Sequence, residues 1–92
     1  MNKCVKIFVT AVIKDSFLHD FVQSNARKLS IEGSVVRPAP DKIKIVACGD
    51  KDNVDKFVDI LHKEFIELGV QDIEVEPFLK DKDYRGVFRI IE

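Results

Sequence analysis

Residues 4–23 read CVKIFVTAVIKDSFLHDFVQ, and the period of the apolar positions changes within them. Val5, Ile7, Val9, Ala11 and Ile13 stand at alternate positions, the spacing that gathers side chains on one face of a strand. From Ser16 the spacing becomes helical. Leu18, Phe21, Val22, Ala26 and Leu29 share one face, while Asp20, Gln23, Ser24 and Lys28 share the other. The pattern predicts a strand over residues 4–13 and a helix starting near Ser16, with Asp15 or Ser16 placed to cap it. The junction has no glycine and carries Asp15 in its middle. A helix that follows a strand offers free N–H groups to anions, so this junction is the first candidate site.

Further along, the chain is expected to turn at Gly33. SVVR and KIKIVACG then read as two strands, with PAPD as a loop because proline fixes φ and lacks an N–H. Ile43, Ile45 and Ala47 alternate inward. A second helix starts near Asp50, with Val54, Phe57, Val58, Leu61, Phe65 and Leu68 as its stripe and Gly69 as its stop. VQDIEVEPF is a fourth strand, DKDYR an exposed turn and GVFRII a short last strand. The order is βαββαβ plus a short fifth strand. Its economical packing is an α+β, ferredoxin-like sandwich, an antiparallel sheet with both helices on one face.

Composition bounds the rest. Ninety-two residues predict a single domain over 1–92. The chain is 46% hydrophobic and 34% charged, values typical of soluble globular domains. Fifteen basic and sixteen acidic residues give a net charge of -1, with no field to gather nucleic acid or an acidic membrane. No apolar run is long enough to span a bilayer, and MNKCVKIFV does not read as a signal peptide. Cys4 and Cys48 are too few for a disulfide scaffold and point to a reducing cytoplasm.

The chain resembles the acylphosphatase family almost end to end. That family reads roughly V-x-G-R-V-Q-G-V-G-F-R-x-F-V where this chain has VTAVIKDSFLHDFV. It reads A-x-x-L-G-L-x-G-x-V-x-N where this chain has ARKLSIEGSVVR, and V-x-V-x-A-x-G where this chain has IKIVACG. NVDKFVDIL and GVFRI also suit the pattern. Phe21, Val22, Ala26, Leu29, Gly33, Val35, Ala47 and Gly49 keep the scaffold signature.

The resemblance implies an acylphosphatase-like fold and a phosphoryl site at the junction. In the family a glycine-containing loop cradles the phosphoryl group, an arginine at the helix start holds its oxygens, and an asparagine on the second strand positions water. The ungapped register puts His19 at the arginine position and Arg37 at the asparagine position. The cradle becomes Ile13, Lys14, Asp15, Ser16 and Phe17. Sliding Phe17 onto the family's phenylalanine puts Leu18 at the arginine position, so the arginine is absent either way. Glycine allows a cradle's backbone angles, and other residues lose about 1–2 kcal/mol in a left-handed conformation. Asp15 repels a bound phosphate. A guanidinium has no acceptor with which to orient water as an amide does. Losing one transition-state donor costs on the order of 3 kcal/mol. These losses predict a degenerate site without standard acylphosphatase activity.

Two alternatives stand beside that reading. One is an active acylphosphatase with a rearranged site. In the main reading, positive charge relocated to Lys14, His19 and Arg37, with Ser16, forms an altered anion site for inorganic phosphate or a small phosphorylated molecule. That site needs Arg37 and His19 to face one pocket; side chains pointing apart, or Arg37 held in an ion pair with Asp15, would rule it out. The other is a protein-interaction module, a monomer or weak homodimer joined through the open sheet face. Strand alternation places Cys4, Lys6, Phe8, Thr10, Val12, Val36, Lys44, Val46 and Cys48 on that face, with the two cysteines as neighbours. A Cys4–Cys48 bridge is a corollary requiring Cα atoms roughly 4.4–6.8 Å apart.

Other motifs carry less. His62 is expected on a solvent-facing flank. Two histidines and two cysteines without close spacing make no zinc motif, so no metal or cofactor is expected. YRGVFRII partly matches an RNA-binding pattern, but Val87 and Arg89 replace its stacking aromatics.

Overall fold

The structure, a computed structural model, describes residues 2–77 and 87–91. Strand β1 (Asn2–Thr10) leads into helix α1, which runs through residues 15–28 in three consecutive pieces, Asp15–Phe17, Leu18–Gln23 and Ser24–Lys28. Strands β2 (Glu32–Ala39) and β3 (Lys42–Asp50) precede helix α2 (Lys51–Glu67), strand β4 (Asp72–Pro77) and strand β5 (Phe88–Ile91). The sheet order is β4-β1-β3-β2-β5. Four strands pair antiparallel, as expected of the ferredoxin-like sandwich, but β5 pairs parallel to β2, so the sheet is mixed. The DKDYR segment lies outside the described residues.

Alternation places the core. Val5, Ile7, Val9, Ile43, Ile45 and Ala47 point toward the helices and are buried. Leu18, Val22 and Ala26 of α1 and Val54, Phe57, Leu61 and Phe65 of α2 pack against them. Leu68, expected on the α2 stripe, is instead 53% exposed. The helix ends there, Gly69 turns the chain at φ 86, and Val70 takes the inward place, donating its N–H to the Phe65 carbonyl at 3.0 Å. This is a helix stop closed by a left-handed residue. Asp50 caps α2 by accepting from the Asp52 N–H at 3.2 Å.

Three boundaries differ from the sequence reading. Gly33 lies inside β2 rather than at a turn, because the chain turns earlier, at Ser30 with φ 54. Ile31 N–H closes that turn on the Ala26 carbonyl at 2.8 Å. Pro38 belongs to β2 rather than to a loop: the β2–β3 register shifts between Val36 and Ala39, and β5 pairing stops at Val36. A proline is tolerated at such a bulge, where the ladder asks for no donor. Finally, β1 stops at Thr10, so Val12 leaves the open face and is 80% exposed beyond it.

Cys4 and Cys48 face each other across the β1–β3 ladder and form a disulfide, with Cα atoms 4.2 Å apart, slightly closer than the expected range. The small cysteine count therefore does not decide their state; register does, by placing both thiols at one rung. Val46 and Cys48 are buried although they stand on the sheet face away from the helices. No helix among the described residues is long and apolar enough to cross a membrane.

Candidate functional site

The site region is the chain between β1 and α1. Past Thr10, the Ala11 N–H donates to the Asp41 carbonyl at 2.7 Å, tying this segment to the β2–β3 turn. Ile13 is buried and anchors it from below. Lys14 is extended, at φ -67 and ψ 142, and is the N-cap of α1. Neither Asp15 nor Ser16 caps the helix as the sequence suggested. The Lys14 carbonyl accepts from Phe17 and Leu18 N–H at 3.0 and 3.4 Å, and no side chain caps the first turn. The helix can begin this abruptly because no residue of the junction needs a left-handed conformation.

Asp15 looks elsewhere. Its Oδ1 lies 3.1 Å from Nη2 of Arg37. The same Nη2 donates to the Ile13 carbonyl at 2.7 Å. Arg37 reaches this point because it follows Val36, the last residue of β2 paired to both neighbours, and enters the bulge. Bulges re-aim side chains in this way. Asp15, Arg37, Leu18, Val35 and Ile90 line a cavity of about 260 Å³. The Arg37 side chain is 28% exposed and that of Asp15 71%.

The four expected anion-binding residues are not gathered. Lys14 and Ser16 line a separate groove of about 820 Å³, which Phe17, Phe21 and Leu68 also line. His19 is exposed on the first turns of α1 and lines neither space. The shared pocket for His19 and Arg37 is therefore not formed, and the cation nearest the cradle residues is engaged by Asp15. The physical reason is proximity: a carboxylate at the first helical position meets a guanidinium aimed at the same loop. Among the described residues no group of three or more His, Cys, Asp or Glu could hold a metal ion.

Residues Leu18–Gln23 of α1 have π-helical hydrogen bonding. The Asn25 side-chain amide donates to the Phe21 carbonyl at 2.8 Å, competing with the backbone ladder. Such segments often sit at functional positions. The widened turn keeps Leu18 and Val22 buried beneath the site. Gln23, expected on the outer face, is half-buried and donates to the Phe88 carbonyl at 3.0 Å, tying α1 to β5.

Several solved structures share this architecture. The chain is similar to the acylphosphatase of Bacillus subtilis, with 23% identity, TM-score 0.75 and full coverage of both chains. It is similar to an acylphosphatase from Coxiella burnetii, with 21% identity, TM-score 0.74, and coverage of 98% of this chain and 93% of that one. It also resembles part of HypF from T. kodakarensis, with 20% identity and TM-score 0.78, where 98% of this chain matches 12% of the other. No curated protein sequence matches significantly. At these identities the structural likenesses establish the fold; the lineage comes from the acylphosphatase family model, which matches residues 5–90. The chain belongs to the acylphosphatase family.

Proposed function

We propose that this chain keeps the acylphosphatase fold but lacks ordinary acylphosphatase turnover, because Arg37 is engaged by Asp15 and the cations of the junction do not converge on one pocket. The observation that carries the reading is the Arg37 side chain, held by the Ile13 carbonyl at 2.7 Å and by Asp15 at 3.1 Å. A phosphoryl group placed over residues 13–17 meets the Asp15 carboxylate, and like charges repel there. Hydrolysis of an acyl phosphate needs a positioned water and donors aimed at the charge that develops on the phosphoryl oxygens. The guanidinium supplies donors but no acceptor for the water. His19, which the resemblance places at the arginine position, lines neither cavity.

The test is hydrolysis of benzoyl phosphate by the purified protein. Turnover indistinguishable from the uncatalysed background is expected. Clear turnover that disappears in His19→Ala or Arg37→Ala overturns the proposal and restores an active, rearranged site.

A further inference from the structure

We propose that the sheet face away from the helices docks a second copy of this chain, about a two-fold axis that runs along β1 at Phe8 and Thr10. The register places the residues concerned. Glu74 of β4 and Lys44 of β3 flank Phe8 of β1, and on the next rung of that face Asp72 and Lys42 flank Thr10. The intervening Ile7, Val9, Ile43 and Ile45 are buried beneath the helices, so alternation turns the flanking set the other way. All of them line one concavity. Thr10, Lys42, Asp72 and Glu74 are exposed, while Phe8 and Lys44 are half-buried. Val46 and Cys48, at the other end of the same face, are already buried, which confines an accessible contact to the Phe8 and Thr10 rungs.

The charges on these rungs are unspent. Both carboxylates stand on one side of β1 and both ammonium groups on the other, two strand spacings apart, roughly 9–10 Å. Among the described residues, none of the four charged side chains has an ion pair or a hydrogen bond. Within one copy β1 keeps the two signs apart. Between two copies the arrangement matches itself. Half a turn about an axis along β1 lays β4 of one copy over β3 of the other and keeps each rung level. Glu74 then meets Lys44 of the second copy, Asp72 meets Lys42, and both contacts occur twice. Phe8 meets its own ring across the axis, and the two rings fill the concavity that the charged lips close. This is an isologous contact with an aromatic centre and a polar rim. Packed sheets cross at roughly 30°, which leaves the rung of Glu76, Lys6 and Val46 at the margin. Another protein would have to reproduce this order of charges, whereas a second copy carries it by construction. Only β4, β1 and β3 of the five strands take part. The contact therefore falls in the small, transient class, with a dissociation constant on the order of 0.1–1 mM.

The experiment combines sedimentation with amide NMR shifts over a concentration series at low ionic strength. The wild type should associate, with shifts centred on residues 8, 10, 42, 44, 72 and 74. Glu74→Lys and Lys44→Glu each set like charges against one another, and each should weaken association by about tenfold or more. Mixed in equal amounts, these two variants should associate at least as well as the wild type, because every facing pair is then of opposite sign. Lys63→Glu and Glu67→Lys change the exposed side of α2 by the same charges, and should behave as the wild type alone and gain nothing on mixing. The sheet NMR pattern of each variant confirms that it is folded. A wild type without concentration dependence up to about 2 mM overturns the proposal. So do shifts centred elsewhere, such as the free edge of β4 or the exposed Val12, single reversals that associate as the wild type does, a mixture no better than its components, or an equal gain in the α2 mixture.

Discussion

Gly33 shows how a single residue's role can be hidden in a sequence. Its presence was plain, and a turn was the natural reading, yet it sits within β2 at φ 148. A Cβ there would collide with the Val46 carbonyl of the neighbouring strand. Gly33→Ala should therefore lower stability by about 2–4 kcal/mol through backbone strain and a forced separation of β2 from β3. Urea denaturation measures this, and an alanine variant with the wild-type midpoint would refute it. Ser30 is the opposite case. It is the non-glycine residue held at positive φ among those described, and it occupies the position where the family pattern has glycine. Ser30→Gly should raise stability by about 0.5–1 kcal/mol, the relief of left-handed strain less the entropy glycine loses on folding. An unchanged or lower midpoint would show that the serine is not strained.

Elements were more legible than their ends. The period change at Ser16 and the α2 stripe identified both helices, because core burial imposes 3.6-residue spacing over several turns. The bulge that admits Pro38 and the π segment of α1 were not legible, since each arises from partners distant in sequence or from a side chain entering the ladder. The site divided in the same way. Residues 13–17 were identifiable as the junction, but the Asp15–Arg37 pairing depends on where the bulge aims Arg37. Another tie between elements links the start of β1 to the first turns of α2. Asp55 accepts from Lys3 at 2.8 Å and from Lys51 at 3.0 Å. The bond from Lys3, then that from Lys51, hold the Asp55 carboxyl below its ordinary value of 3.8. A carboxylate whose folded pKa lies below its unfolded one stabilises fully above the unfolded value, and that contribution fades as pH falls through the folded value. Lys51, raised above 10.5 chiefly by its bond to Asp55, contributes at lower pH and loses its contribution as pH rises past that range. Asp55→Asn should thus narrow the drop in midpoint between about pH 5 and about pH 2.5. An equally large drop in the variant would assign acid sensitivity to other carboxylates.

At the scale of the whole molecule, the disulfide and the ladder do different jobs. β1 and β3 are adjacent in the sheet and pair over nine rungs, from Asn2↔Asp50 to Thr10↔Lys42, with Cys4↔Cys48 one of them. Alternation predicted that the two cysteines would be neighbours, because antiparallel strands bring the start of one beside the end of the other. The ladder holds this register whether or not the sulfurs are joined. Val5, Ile7 and Val9 must face Ala47, Ile45 and Ile43 on the helix side, and a one-residue slip would turn the whole set outward. The bridge therefore acts mainly on the unfolded chain, where it ties together residues 44 positions apart. In the chain-entropy account a loop of this length corresponds to about 4 kcal/mol, and measured bridges commonly give about 2–4 kcal/mol. The double variant Cys4→Ser/Cys48→Ser should keep the same backbone NMR pattern for the sheet while losing about 2–4 kcal/mol of stability. Its denaturant slope should be steeper, because an uncrosslinked unfolded chain exposes more surface. Dithiothreitol should move the wild type to the same midpoint and slope and leave the serine variant unchanged. Loss of the sheet pattern on reduction would show that the bridge, and not the apolar alternation of β1 and β3, sets the register of the fold.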